Sequence, residues 1–278
     1  KRGNIIKYNE IEFFTEYFLV RFLSQNSKDY ECNRKYNSQL DSIECFIVQI
    51  LNSILHKRKL FGHYYKKIKV YNDAKLGEEV VDENYYPILN ISVIPGKTLN
   101  NLLKYKYDYS EDKLDSKNKY KQKAGYEAKY YESYKFNNNK YIFISTKTQQ
   151  IFTDTGTIYK LKKLDNEFVI KIKGIEYQLN SSIYHGGDTK GGHYVSLVVR
   201  NINGVNKFYR ISDEDVSENK SHQISGYNVR FMAYVRKDVI RYYDYKPIGI
   251  PNVGNTCWAN SGIQVLFNLY NFITEDIF

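Results

Sequence analysis

Apolar residues recur at three- and four-residue spacings in two early stretches, IEFFTEYFLVRFL (residues 11–23) and SIECFIVQILNSIL (residues 42–55). That spacing gives a helix one buried face, so residues 1–60 are expected to be helical. Asp41 stands immediately before the second run, where a carboxylate caps a helix start. From about Lys67 the pattern changes to short alternating or β-branched runs: YYPILNISVI (85–94), YIFIST (141–146), EFVIKIKGIEY (167–177) and HYVSLVVR (193–200). These predict strands. Residues 104–140 are rich in Lys, Tyr and Asn with little apolar periodicity, which fits either an exposed extension of the sheet or a mobile excursion. Near the end, the turn-rich PIGIPNVGN (247–255) leads into CWANSGIQVLFNLYNF, where Trp258, Ile263, Leu266, Phe267 and Tyr270 suit a helix. No internal repeat is visible.

With 278 residues, 42% of them hydrophobic and 26% charged, the chain is long and apolar enough to bury a core, which excludes disorder as its main state. No stretch approaches the roughly 18 uninterrupted apolar residues of a membrane span, and the N-terminus has neither an initiator Met nor a signal-peptide core. A soluble domain belonging to a longer chain is expected. The balance of 41 Lys and Arg against 31 Asp and Glu gives +10, and 29 tyrosines accompany it, a combination that suits stacking on nucleic-acid bases. Heavy use of Asn, Lys, Tyr and Ile is also what AT-biased coding produces without selection for function, so no nucleic-acid partner is expected. Cys32, Cys45 and Cys257 make an odd count without short spacing, which suggests neither a disulfide framework nor a cysteine zinc site. A reducing, intracellular setting fits best.

Cys257 stands where a Gly- and Asn-containing loop turns into an apolar helix. Unpaired N–H groups and the helix dipole at a first turn favour an anion, be it a thiolate or an oxyanion formed on a substrate. A second stretch, His185-Gly-Gly-Asp-Thr-Lys-Gly-Gly-His193-Tyr194, ends a glycine loop with a histidine entering a strand. A thiolate needs one group to take its proton and to protonate the leaving amine, and a histidine does both when a third polar residue orients its ring. Asp213, Glu214 and Asp215 are local candidates for that third role. Taken singly, each stretch has an ordinary reading: a cysteine near a helix start is more often a small buried apolar residue, and a glycine loop is more often a plain connection.

Together the two stretches resemble the ubiquitin-specific proteases. GIPNVGNTCWANSGIQ is similar to that family's cysteine box, with Gly249, Asn252, Gly254, Asn255, Thr256, Cys257, Asn260, Ser261 and Gln264 matching. YQLNSSIYHGGDTKGGHYVSLVVR, continuing to FYRISDEDVS and MAYVRK, is similar to its histidine box. More loosely, residues 39–51 resemble its QQDAxEFL segment and residues 114–129 the segment that opens its zinc-binding region. The order departs from the family, because Cys257 follows His193 where the family's cysteine box comes first. The chain therefore resembles a circular permutant whose old termini are joined across residues 241–250, so that Phe278 is expected near Lys1.

The resemblance implies an α+β, papain-like cysteine protease fold with a helical thumb, a β-rich palm and a finger-like extension, forming one permuted catalytic domain over 1–278. Its parts would be thumb helices in 1–60, finger and palm strands in 61–176, the histidine-box palm in 177–240, and linker, cysteine box and catalytic helix in 241–278. It implies Cys257 as nucleophile, His193 as base and then acid, and Asn252 with the Cys257 N–H as oxyanion holders. Ser212 aligns with the residue that orients the histidine and Asp213 is the next candidate for that role. Asp41, Gly186, Gly187, Gly191, Gly192 and Tyr194 would border the substrate's tail, and His185 is read as structural. The family's zinc-binding CxxC pairs align with positions lacking cysteine, such as Gln122 and Gly125, so no metal or other cofactor is expected. The expected activity is hydrolysis after the Gly-Gly tail of ubiquitin or of a ubiquitin-like protein, by a monomer. The alternatives are a protease for another modifier and an inactive ubiquitin-binding module.

Overall fold

The computed structural model describes residues 63–71, 78–86, 88–94, 96–107, 120–121, 127–135, 139–147, 149–153, 156–160, 164, 166–187, 192–240, 246–252 and 257–277. The helices expected in 1–60, Asp41, Gly191, Cys32, Cys45 and both chain ends lie outside these residues. So do Gly254, Asn255 and Thr256 of the cysteine box.

The described chain is mostly sheet. Strands β1 (His63–Tyr71), β2 (Glu78–Tyr86), β4 (Tyr120–Lys121) and β5 (Glu127–Lys135) form one antiparallel sheet in the order β2-β1-β5-β4. Its strands cross the Lys- and Tyr-rich region, which is thus partly built into a sheet of its own. Tyr65, paired in register with Tyr134, packs its ring 5.1 Å from that partner and 5.9 Å from Tyr86. His63 stacks 6.0 Å from Tyr86. Aromatic cross-strand pairs of this kind are a main source of sheet stability, so these rings tie three strands together.

The larger sheet contains β3 (Ile88–Ser92), β6 (Tyr141–Lys147), β9 (Val169–Ile172), β10 (Ile175–Gly187), β11 (Gly192–Ile202), β12 (Val205–Ser212), β13 (Asp215–Asn219) and β14 (Asn228–Arg236). Its order is β13-β12-β11-β10-β14-β6-β3, with β9 on the early part of β10 and β3 parallel to β6. β7 (Gln149–Thr153) and β8 (Gly156–Lys160) make a separate hairpin. Two turns, Lys173-Gly174 and Asn203-Gly204, have positive φ at both residues, the type I′ geometry whose twist matches that of the strands they join.

Residues 194–200 of β11 are all buried, which is why their sequence reads as a nearly continuous apolar run. Val195, Leu197 and Val199 join a cluster with Leu179, Met232, Tyr234 and the leucines of α1 (Leu99–Tyr107). Val198, Tyr209 and Ile211 form a second cluster. The helix α1 was not anticipated from the sequence. Its buried leucines, Leu99, Leu102 and Leu103, are too few to stand out among Asn and Lys. Thr98 starts it by accepting the Asn101 N–H on Oγ1 at 3.2 Å. Asn100 then docks it, donating Nδ2 to Val169 O at 3.1 Å and accepting the Lys171 N–H at 2.9 Å on the edge of β9.

The last element, α2 (Cys257–Ile277), packs against β10, β11 and β12. Ala259, Ile263, Val265 and Leu269 are buried, bearing out the expected helix. Among the described residues no helix is long and apolar enough to cross a membrane.

Candidate active site

The site forms where three separate segments meet: the start of β11, the turn between β12 and β13, and the approach to α2. His193 is the second residue of β11 and pairs in register with Gly186 of β10. The hairpin narrows there, and a Cβ on Gly192 would collide with Gly186 O and the ring of His185. Only a residue without a side chain fits. His185 is 1% exposed and lies against the Tyr194 ring with centroids 4.6 Å apart, so both sit inside the sheet beneath His193. Gly187 pairs with Gly192 and is exposed at the hairpin mouth.

Ser212 ends β12, and its Oγ is 2.8 Å from His193 Nε2 in a hydrogen bond. With Nε2 protonated, the imidazole N–H donates to the hydroxyl. Asp213 is the first residue of the two-residue turn to β13 and takes φ of +53°, a left-handed conformation that Asp tolerates better than most residues. This bend turns its carboxylate toward the same ring, with Oδ2 4.0 Å from His193 Nε2. His193 keeps 38% of its side chain exposed while Asp213 keeps 12%, so the ring is open to a substrate and the carboxylate is shielded.

Asp213 also anchors the approach to α2. Its backbone O accepts the Ile250 N–H at 2.9 Å. Its Oδ2 accepts Asn252 Nδ2 at 2.9 Å and its Oδ1 accepts Asn260 Nδ2 at 2.8 Å. A Cβ on Gly249 would strike the backbone of Glu214, so the approach segment lies flush on the turn. Gln264 donates Nε2 to Ile248 O at 2.7 Å, and Asn268, fully buried, donates to Asn180 O at 2.8 Å on β10. Cys257, a free thiol only partly buried, is the first residue of α2 and lies one turn before Asn260. Residues three apart on a helix share a face, so the thiol is carried on the side of α2 that meets Asp213.

Of the expected site residues, the geometry therefore joins His193, Ser212, Asp213 and Asn252 by direct contacts and carries Cys257 on the helix bonded to them. Tyr194, expected along the substrate's tail, is instead 1% exposed within the sheet. Of the candidates in this turn, Ser212 and Asp213 are the pair that face the ring. Asn260 matches the cysteine box in sequence, and the structure adds its bond to Asp213. Its placement three residues after the cysteine was the available signal.

Comparison with solved structures gives the architecture a parallel. The chain is similar to a chain of the Ubp8-Sgf11-Sgf73-Sus1 SAGA DUB module, with a TM-score of 0.53 at 13% identity over 74% of this chain and 50% of that one. The fold is like that of a ubiquitin-specific protease. A second match is the SAGA Ubp8/Sgf11/Sus1/Sgf73 DUB module bound to ubiquitin aldehyde, with a TM-score of 0.49 at 12% identity over 70% of this chain and 48% of that one. The chain spans about half the length of the chains it matches. No protein-family model and no curated protein matches it.

Proposed function

We propose that the chain is a circularly permuted, cysteine-type ubiquitinyl hydrolase that cleaves the isopeptide or peptide bond after the C-terminal Gly-Gly of ubiquitin. The observation that carries this reading is the 2.8 Å bond from Ser212 to His193 Nε2, backed by a carboxylate that is itself bonded to the helix beginning at Cys257. It is supported by the likeness of the fold to a chain of a DUB module. With Nε2 engaged by Ser212, Nδ1 is the ring nitrogen left to face the thiol.

In this mechanism His193 takes the Cys257 proton, and the thiolate attacks the carbonyl carbon of the terminal glycine. The tetrahedral oxyanion is held by the Cys257 N–H and the Asn252 side-chain amide. Collapse breaks the C–N bond as His193 protonates the departing amine, leaving a thioester. Water, deprotonated by His193, then attacks the thioester and restores the thiol. Ser212 sets the ring's tautomer and orientation, while Asp213 supplies the formal charge that a hydroxyl lacks beside an imidazolium.

The glycine-lined mouth of the β10–β11 hairpin would border the modifier's tail, with Asp41 a further contact, and the four-stranded sheet β2-β1-β5-β4 would be the finger. Residues 241–250 would be the join between the ancestral termini, with a reducing compartment as the working environment. The test is turnover of a fluorogenic ubiquitin C-terminal substrate. Wild type should release the fluorophore, and C257A and H193A should lose at least about a thousandfold in rate. A wild type silent on ubiquitin but active on another modifier would change the substrate, and one silent on all would overturn the enzyme reading.

A further inference from the structure

Asn260 has no part in the chemistry above, yet its side chain ties α2 both to the Asp213 carboxylate and to the approach segment. It is 4% exposed and lies one turn into α2. Its Nδ2 is 2.8 Å from Asp213 Oδ1, 3.2 Å from Pro251 O and 3.3 Å from Ile250 O. The short bond is the one to the carboxylate. The other Asp213 oxygen, Oδ2, faces His193 and is held by Asn252, which is exposed and sits in a coil segment. Of the two amides gripping Asp213, Asn260 is the one fixed to a 21-residue helix and shielded from water. A carboxylate on a two-residue turn swings about χ1 and χ2 unless both oxygens are engaged, and a swing would carry its charge away from the ring.

Resting on the hydrolase reading, we propose that Asn260 is a positioning residue, which acts through Asp213 by holding that carboxylate beside His193. Loss of a residue of this kind lowers the chemical rate without weakening substrate binding. Loss of a residue that only stabilises the fold lowers the melting temperature and leaves the rate per folded molecule unchanged.

A double-mutant cycle separates the two. N260A, D213A and the double variant are compared with wild type by kcat and KM on the ubiquitin substrate, corrected for folded fraction, and by the rate of Cys257 alkylation with iodoacetamide, which needs no modifier. N260A should lower kcat about 10- to 100-fold with KM within about twofold, and the double variant should fall no more than about twofold below D213A. Losses that multiply, or an N260A with wild-type kcat, would overturn the proposal. Should N260A not fold, N260D enters the cycle in its place. It keeps the volume and sets an acceptor against Asp213, so its loss should exceed that expected of N260A. A wild type without ubiquitin turnover would overturn the hydrolase reading, and the alkylation rates would then decide the coupling between Asn260 and Asp213. An Asn260 without effect in an active wild type would overturn the positioning role alone.

Discussion

In the proposed mechanism, Ser212 and Asp213 divide between them what one residue often does in a catalytic triad. The hydroxyl makes the short bond to His193 and the carboxylate stands at 4.0 Å, so orientation and charge come from neighbouring positions of one turn. Each can therefore be removed separately. S212A should keep the carboxylate near the ring and lose about 10- to 100-fold in kcat, whereas D213A loses the charge and also releases Asn252, Asn260 and the site's shielding, for a loss of about 100- to 1000-fold. Steady-state turnover of both variants checks this, and equal negligible losses would remove both residues from the mechanism. The sequence puts Ser212 first, by alignment, and Asp213 next, but one residue of register decides which side chain meets the ring. The +53° φ of Asp213, which lets both face His193, leaves no mark in composition or periodicity.

At the scale of elements, the site depends on how α2 and its approach segment are pinned to the sheet. Gly249 touches the Glu214 backbone, so G249A must lift the segment from the β12–β13 turn and break the Ile250 N–H bond to Asp213 O. A loss of about 1–3 kcal/mol of stability is expected, read from chemical denaturation. N268L would leave Asn180 O without its donor beneath α2, at a cost of about 1–3 kcal/mol by the same measurement. Strands with dense apolar and β-branched runs, such as β3, β6 and β11, and the long helix α2 were legible in the sequence because their apolar patterns are strong. The helix α1 was not, since three leucines among Asn and Lys give a weak period and its docking depends on Asn100 pairing with a strand edge 69 residues away. The hairpin β7–β8 and the small strand β4 were likewise missed, being short and mostly polar.

For the whole molecule, the abundance of tyrosine has a structural consequence whatever its origin. Tyr141, Tyr177, Tyr194, Tyr209 and Tyr234 are among the largest fully buried side chains. Tyr177 donates to Asn139 O at 3.0 Å, Tyr184 to His222 O at 2.9 Å, and Tyr234 to Glu167 O at 2.7 Å. Burial disfavours the phenolates, pushing Tyr177 and Tyr184 up to about 12 and Tyr234 well above the ordinary phenol value. Because the folded values lie above the unfolded ones, the stabilisation is complete below about pH 10 and is lost as pH rises from 10 toward 12. The urea midpoint should hold at moderately alkaline pH and fall across that window, with a late phase of phenolate absorbance accompanying unfolding. Titration of every tyrosine near pH 10 in a protein that stays folded would contradict it.

The two stretches that resemble the family's cysteine and histidine boxes were legible as a pair, and Asn252 and Asn260 of the first bond Asp213 of the second. What the sequence could not supply is which modifier the site serves, since that recognition is spread over surface with no local motif. The most direct measurement is incubation with ubiquitin carrying an electrophilic C-terminus, followed by mass spectrometry of the adduct. Wild type should gain one ubiquitin attached at Cys257, and C257A should gain none. A folded wild type that leaves Cys257 unmodified by ubiquitin and by every ubiquitin-like probe, or an adduct on any other residue, would contradict the account.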